Sequence, residues 1–260
     1  MAAHVHGLDV RSWRGHMDGV VTFAHASLAA PLHFEQRPES IPTDGDADGT
    51  FRRIWPASLS FGAHLASCPD LVRGKSVVEL GAGSGVAGIL CAAFGAEQAW
   101  LTDLPAALPL IESNVARNER VATRCTAWPC RWGEDADIAA LLEQAGVPAF
   151  DVIVASELVY KQRPSTFAAL VDTMLALGHE TSRVLVVYEF RDELFDDLVF
   201  FERMLTHYDV EVIPLRSAGT GAPAAASRAD EGECEEFLYV YVPHNVCLLY
   251  TSDAADEEDS

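Results

Sequence analysis

Positive charge is scarce in this chain, and the shortage limits what the chain can bind. Its 260 residues include 18 lysines and arginines against 39 acidic residues, for a net charge of −21. Binding to a phosphate backbone needs clusters of basic side chains, and none is present in the sequence. Nucleic acid is therefore not expected as a substrate. The acidic surface is compatible with a lysine-rich protein partner, although solubility alone would also explain it.

Signals for membranes, secretion and metal binding are missing as well. No apolar run is long enough to cross a bilayer, and residues 1–20 lack the apolar centre of a signal peptide. None of the six cysteines belongs to a CxxC pair, and no histidine flanks Cys125 or Cys130 at zinc-site spacing. We therefore expect reduced thiols, no metal, no membrane attachment, and a location in the cytoplasm and also the nucleus.

The end of the chain differs in character from the rest. Residues 247–257 resemble the translated adapter of a transposase-based sequencing library. We therefore interpret 245–260 as a non-native or disordered tail and exclude it from reasoning about the fold. The tail holds five acidic residues, so the net charge of −21 becomes −16 without them. A transcript sequence that runs through codon 247 into the same tail would contradict this interpretation.

The remaining sequence divides into an N-terminal extension and a main domain. Residues 1–50 form the extension, with a predicted hairpin over Val20–Phe34 and a flexible polar loop over Ile41–Thr50. The main domain covers 51–244. It begins with a helix that opens within Ile54–Ser58 and runs to about Ser67, with Ser58 or Pro56 near its start.

From Lys75 onward, predicted strands and helices alternate, which indicates an α/β fold with a parallel sheet covered on both faces. The last two strands have no helix between them and are expected to pair antiparallel. The result is a Rossmann-like sheet of seven strands with the last strand reversed at the edge. The predicted strands are 76–80, 99–102, 123–127, 150–155, 183–188, 210–214 and 237–242, and the predicted helices between them are 86–94, 108–118, 137–144, 164–177 and 198–207.

A glycine run at the end of the first of these strands is the strongest functional signal. Gly81, Gly83 and Gly85 alternate between a buried strand and a helix start, an arrangement that forms a nucleotide site. The residues from Gly83 to Gly88 also satisfy the dinucleotide pattern GxGxxG. Asp103 lies 20 residues after Gly83, at the end of the next strand, where a carboxylate would bind ribose hydroxyls. These features alone do not separate NAD from S-adenosylmethionine.

Glu79 separates the two cofactors. A carboxylate two positions before the first glycine would repel the pyrophosphate of a dinucleotide. S-adenosylmethionine carries no phosphate but an ammonium and a sulfonium, so an acid beside it is favourable or neutral. The antiparallel pair at the end of the chain also argues against the second βαβ half of a dinucleotide fold. The alternative for Glu79 is a solvated acid at a strand end.

The ordered set of motifs resembles the seven-β-strand methyltransferases, and more narrowly the protein-lysine methyltransferases related to methyltransferase-like protein 21. The resemblance covers about 51–242. This group more often has aspartate where Glu157 stands, one methylene shorter. The motifs are Ile54–Ser58, the Glu79–Gly85 run, Thr102–Pro105, Asn114–Asn118, Arg131–Gly133 and Ser156–Tyr160.

The resemblance implies a set of cofactor contacts for S-adenosylmethionine. The three glycines would let the backbone approach the methionine and ribose portions, Asp103 would accept hydrogen bonds from the ribose, and Ser156 would join the cofactor site. Trp132 would lie beside the adenine and Trp55 would close the pocket, each with ordinary core packing as the alternative. Asn114 is either a polar residue behind the site or a residue of the helix surface. Tyr188–Arg191 either lines the substrate entrance or forms a local ion pair.

The resemblance also implies that Glu157 and Tyr160 are the catalytic residues. The attacking lysine amine must be neutral, although its reference pKa is about 10.4. Desolvation and a neighbouring sulfonium both lower that pKa. Glu157 would hold the arriving ammonium, Tyr160 would orient the nitrogen, and water would take the proton beforehand. The alternative is that Glu157 caps a helix and Tyr160 packs in the core.

Together these observations predict a monomeric S-adenosylmethionine-dependent methyltransferase that acts on a lysine of a protein substrate. Two other functions stay open at this point. One is methylation of a small amine or of another side chain such as histidine. The other is a catalytically inactive cofactor-binding adaptor, which would have no need of both Glu157 and Tyr160.

Overall fold

A computed structural model of the chain describes residues 4–5, 19–37, 50–160, 162–190, 194–215 and 236–244. The predicted loop at 41–50, apart from Thr50, and the predicted tail at 245–260 lie outside these residues. Among the described helices, none is long and apolar enough to cross a membrane.

One seven-stranded sheet forms the centre of the main domain. Its strands are β4 (Ser76–Leu80), β5 (Gln98–Asp103), β6 (Cys125–Pro129), β7 (Val152–Ser156), β8 (Arg183–Glu189), β9 (Tyr208–Leu215) and β10 (Glu236–Pro243). They lie in the order β6-β5-β4-β7-β8-β10-β9. The strands from β6 to β8 are parallel, and β10 runs antiparallel to both β8 and β9. The prediction of a seven-stranded sheet with a reversed last strand is confirmed.

The position of the reversed strand was predicted wrongly, because β10 lies second from the edge rather than at it. Burial explains the order. Leu238, Val240 and Tyr241 of β10 are all buried, whereas Asp209 and Glu211 of β9 are exposed. An apolar strand gains most between two neighbours, and charged side chains suit an edge strand. Alternation of elements along the chain carries no information on this order.

Helices cover both faces of the sheet, as predicted. Alternating strand residues enter two separate cores, with Val77 facing one core and Val78 the other. The first core is covered by α1 (Pro56–Ser67), α2 (Val86–Ala93) and α3 (Leu108–Arg117), and the second by α5 (Asp135–Ala145), α6 (Pro164–Leu177) and α7 (Leu194–Leu205). A short helix, α4 (Glu119–Ala122), precedes β6, which therefore begins two residues later in the chain than the predicted strand.

The predicted N-terminal hairpin is present as β2 (Gly19–Ala24) and β3 (Leu32–Gln36). A short strand, β1 (His4–Val5), pairs with β2 and makes a small antiparallel sheet of three strands. Phe23 and Phe34 are fully buried in the first core of the main domain. The hairpin is thus built into the same core as α1 and α2.

Candidate active site

The predicted site residues come together because three parallel strands end in register. Leu80 at the end of β4 pairs with Thr102 of β5 on one side and with Ala155 of β7 on the other. Residues that follow these three strands therefore share one edge of the sheet. Open α/β sheets bind ligands at this carboxyl edge.

The glycine turn after β4 depends on backbone conformations that favour glycine. Gly81, Gly83 and Gly85 have φ values of +57°, +57° and +78°. A Cβ atom at Gly83 would lie 3.1 Å from the carbonyl oxygen of Phe51, so the segment before α1 covers this turn closely. A Cβ atom at Gly85 would lie 2.8 Å from the Leu101 side chain. Gly85 therefore also serves the packing of α2 against β5.

Glu79 is buried rather than solvated, and it binds the start of α2. Its Oε2 accepts a hydrogen bond of 2.8 Å from the backbone N–H of Gly88, in the first turn of that helix. The absence of a side chain at Gly88 leaves room for this contact, since a Cβ atom there would lie only 2.7 Å from the same oxygen. A carboxylate at a helix N-terminus is favoured by the helix dipole. The sequence pattern does not reveal this contact, and the electrostatic role toward a cationic cofactor stays a prediction.

Asp103 lies at the end of β5 and faces the glycine turn. Its Oδ2 accepts a hydrogen bond of 2.7 Å from the Gly83 N–H, and its Oδ1 accepts one of 2.6 Å from the Leu104 N–H. Burial raises the pKa of Asp103, and the two N–H donors oppose that rise. Burial also raises the pKa of Glu79 to about 8, and repulsion from the Asp103 carboxylate adds to the rise. A cationic group beside these two acids would offset both rises.

Glu79 makes the free energy of unfolding depend on pH, and Glu79→Gln is expected to remove that dependence. With a pKa of about 8 when folded and about 4.5 when unfolded, the folded protein retains a proton that the unfolded chain releases between those values. Stability therefore falls as the pH rises from about 4.5 to 8, by up to about 1.4 kcal/mol per pH unit. Urea unfolding at pH 5.5, 6.5 and 7.5 measures the slope.

A matched control for this prediction is Glu119→Gln, which removes an exposed carboxylate on α4. This variant is expected to keep the wild-type slope. Equal slopes in wild type and Glu79→Gln would contradict the assignment of a high pKa to Glu79.

The segment after β7 carries the predicted catalytic residues in an unusual conformation. The backbone N–H of Glu157 donates a hydrogen bond of 2.9 Å to the Val187 carbonyl, and this bond continues the pairing of β7 with β8. The chain then turns sharply, and Glu157 has a φ of +58°, alone among the non-glycine residues described. Its side chain is only 5% exposed. A glutamate in this conformation is strained, and such strain is concentrated at functional sites.

Tyr160 and Trp55 meet across the mouth of the site. Their ring centroids lie 5.7 Å apart at an angle of 53°, and both side chains are partly exposed. Trp55 stands immediately before α1, whose first residue is Pro56, one of the two residues predicted near its start. Ser156 joins the same two segments, because its Oγ lies 2.9 Å from the Oγ of Ser58 in α1. The Ile54–Ser58 and Ser156–Tyr160 motifs thus form one wall.

Trp132 and Leu158 lie against Gly81 in the glycine turn. A Cβ atom at Gly81 would lie 2.5 Å from Leu158 Cδ2 and 3.0 Å from Trp132 Cζ2. The sequence motifs include Leu158, but they assign it no role. Its packing brings the catalytic segment into contact with the glycine turn. Phe51 was missed as well, since only its backbone contacts the turn and its residue type gives no signal.

The donor and acceptor set fits S-adenosylmethionine better than a dinucleotide. Two acidic side chains, Glu79 at the start of α2 and Asp103 at Gly83, flank the glycine turn, and this environment disfavours the negative charge of a pyrophosphate. Asp103 is partly exposed, and a carboxylate in that position can accept hydrogen bonds from ribose hydroxyls. The aromatic rings of Trp55, Trp132 and Tyr160 enclose the same edge with apolar surface. The individual contacts of these residues with the cofactor stay predictions.

The strand order, the glycine turn and the acid after β5 define a Rossmann-like methyltransferase as the class of protein. The fold is similar to the crystal structure of the glycopeptide N-methyltransferase MtfA complexed with S-adenosylhomocysteine, with a TM-score of 0.52. That match has 16% sequence identity and covers 71% of this chain and 89% of MtfA, and it shows the fold alone.

Residues 36–207 match the family model described as lysine methyltransferase, and the chain belongs to this family. It is 32% identical to mouse EEF1A lysine methyltransferase 3 over 170 residues, which cover 65% of this chain and 68% of the relative. It is 30% identical to the mouse protein N-lysine methyltransferase METTL21A over 194 residues, covering 72% and 84%. The resemblance inferred from the motifs is confirmed.

Proposed function

We propose that this protein transfers a methyl group from S-adenosylmethionine to a lysine side chain of a protein substrate, with Glu157 and Tyr160 at the reacting amine. Family membership supports the reaction class and the methyl donor. The observation that carries the proposal is the strained, buried Glu157, which follows β7 and precedes Tyr160 of the Trp55–Tyr160 pair by three residues. A strained acid at the ligand-binding edge of the sheet points to a role in function.

The Trp55–Tyr160 pair explains how a lysine side chain would be received. A four-carbon stem can pass along the rings of Trp55 and Tyr160, which lie close enough to contact it from one side. The ammonium then meets the Glu157 carboxylate in a region that burial has largely cleared of water. A charge-assisted hydrogen bond there would hold the nitrogen in one place.

When bound, S-adenosylmethionine supplies an electrophilic methyl group on a sulfonium. The residues of the chain supply position and environment. Tyr160 directs the nitrogen lone pair, Glu157 retains the side chain until the proton has left to water, and the aromatic wall limits competing water. Desolvation lowers the pKa of the lysine amine, which favours the neutral nucleophile. Orientation of this kind accounts for much of the rate of a displacement reaction.

We further propose that the protein acts as a monomer in the cytoplasm and nucleus, with a protein partner and without a nucleic-acid or membrane partner. The net charge of −21 supports the choice of partner, because it disfavours phosphate backbones and favours basic protein surfaces. Light scattering during size-exclusion chromatography tests the monomer.

The function is tested by incubating the purified protein with labelled S-adenosylmethionine and a cell lysate, followed by mass spectrometry. Label is expected on lysine residues of one or a few proteins and is expected to vanish with Glu157→Ala. Purified EEF1A belongs in the assay as a single candidate substrate, because a relative carries that name. Label confined to small molecules or to histidine would overturn the lysine assignment. Cofactor binding without any transfer would identify an adaptor instead.

A further inference from the structure

We propose that Asn114 is a positioning residue that couples the N-terminal hairpin to the glycine turn, so that hairpin docking and cofactor binding stabilise each other. The proposal rests on the cofactor site proposed above. It makes the hairpin a working part of that site, although the hairpin supplies none of the residues predicted to touch the cofactor.

Asn114 joins three backbone groups from two separate segments. The residue is fully buried on α3. Its Nδ2 donates two hydrogen bonds, one of 2.8 Å to the Ser84 carbonyl in the glycine turn and one of 3.0 Å to the Glu35 carbonyl in β3. Its Oδ1 accepts 2.6 Å from the Glu35 N–H. The side-chain amide therefore pairs with Glu35 as a neighbouring strand would, and its second donor fixes the turn.

The bond to Ser84 constrains a peptide group at the centre of the turn. The Ser84 carbonyl and the Gly85 N–H belong to the same planar peptide group. The Gly85 N–H donates a hydrogen bond of 2.7 Å to the Ala82 carbonyl. Gly83 and Gly85, on either side, both have positive φ values and few steric restraints of their own. Without the Asn114 donor, this peptide has more freedom to rotate. Holding it in place reduces the ordering cost that cofactor binding would otherwise meet.

A second connection runs from β3 to the segment that covers the turn. The Arg37 N–H donates a hydrogen bond of 3.1 Å to the Arg52 carbonyl. The Ile54 N–H donates one of 3.4 Å to Gln36 Oε1. That segment contributes the Phe51 carbonyl that stands over Gly83, and it continues directly to Trp55. Displacing β3 would therefore disturb the turn and its cover together. By thermodynamic linkage, a cofactor that requires the ordered turn must stabilise the docked hairpin to the same extent.

Asn118 provides a matched control, four residues later in the chain and directly after the end of α3. It is also buried, and it pairs with His33 of β3 through two hydrogen bonds of 2.9 Å. Its Nδ2 also donates 2.8 Å to the Asn114 carbonyl. Within the described part of the chain, its side-chain bonds reach only β3 and α3 and do not touch the glycine turn. Loss of Asn118 therefore weakens hairpin docking without releasing Ser84.

The test compares Asn114→Ala with Asn118→Ala by calorimetric titration with S-adenosylhomocysteine. Both variants are expected to lower the melting temperature by similar amounts. The Kd of Asn114→Ala is expected to rise about tenfold, equivalent to about 1.4 kcal/mol, and that of Asn118→Ala less than about threefold. In steady-state assays, Asn114→Ala should raise the KM for S-adenosylmethionine and leave the KM for the protein substrate unchanged. A purely structural role would give the two variants equal Kd values.

A measurement on the wild-type protein keeps the proposal open to refutation should Asn114→Ala fail to fold. Saturating S-adenosylhomocysteine is expected to slow hydrogen exchange of the Glu35 amide about tenfold, while Tyr239 in β10 serves as the remote reference. Unchanged Glu35 exchange, or equal Kd values for the two variants, would overturn the coupling alone. Wild-type protein that binds no S-adenosylhomocysteine would overturn the cofactor site, and the coupling with it.

Discussion

Glu157→Gly is expected to reduce kcat about 10²- to 10³-fold and to leave the protein close to wild type in stability. The activity is lost because the carboxylate that holds the substrate ammonium is removed, and orientation of the nucleophile is lost with it. The stability is kept because Glu157 has a φ of +58°. A side chain in this left-handed conformation costs about 1–2 kcal/mol, which glycine does not incur. Kinetics with the identified substrate and urea unfolding measure the two effects.

Glu157→Ala is the matched variant that isolates the backbone effect. It removes the same carboxylate and keeps a Cβ atom in the strained conformation. At an ordinary position alanine is more stable than glycine by about 0.4–1 kcal/mol, because it has less entropy in the unfolded chain. At 157 the order is expected to reverse, with glycine more stable by about 1 kcal/mol. An alanine variant more stable than the glycine variant would contradict the strain.

Glu157→Asp tests whether charge or length matters at this position. The related methyltransferases more often carry aspartate in this slot, so a shorter carboxylate is expected to retain a substantial part of kcat. Its main effect is expected on the KM for the substrate, since the ammonium must approach one methylene closer to the backbone. If Glu157→Asp is as inactive as Glu157→Ala, the length of the side chain matters as much as its charge, and the expected tolerance of aspartate is contradicted.

The sequence predicted the elements of this site better than the contacts among them. Strand β4 and helix α6 were predicted with the observed bounds, because each is a strongly apolar segment between clear start and stop signals. Convergence of Gly83, Asp103 and Glu157 then followed from the parallel sheet, since residues after neighbouring parallel strands share one edge. Topology of this kind is encoded locally and can be inferred without coordinates.

Contacts between distant segments were beyond the sequence patterns. Asn114 gave no sign whether it faced the surface or the interior, because its partners Glu35 and Ser84 bind it through backbone groups that any residue has. The same holds for Phe51, whose carbonyl covers Gly83. The strain at Glu157 was also invisible, since a glutamate gives no local indication of a positive φ. Packing imposes these features after the elements have formed.

Gly83→Ala is expected to weaken binding of S-adenosylhomocysteine about 30- to 100-fold. The new Cβ atom would strain a residue at φ +57° and would approach the Phe51 carbonyl to 3.1 Å, and a backbone oxygen cannot turn away as a side chain can. Strain of this kind costs about 1–3 kcal/mol, and the free protein escapes it by relaxing the turn. Cofactor binding must then restore the strained geometry, so the cost appears in Kd.

Gly74→Ala separates this effect from a general loss of stability. Gly74 has a similar φ of +67°, and a Cβ atom there would meet nothing within 4 Å. It precedes β4 and therefore lies at the amino edge of the sheet, away from the site. Gly74→Ala is expected to lose about 1–2 kcal/mol in urea unfolding and to keep the wild-type Kd. Gly83→Ala is expected to lose less stability, because its turn relaxes in the free protein, and to raise the Kd measured by calorimetric titration. Equal Kd values in the two variants would show that the glycine turn does not hold the cofactor, because backbone strain is the one property that they share.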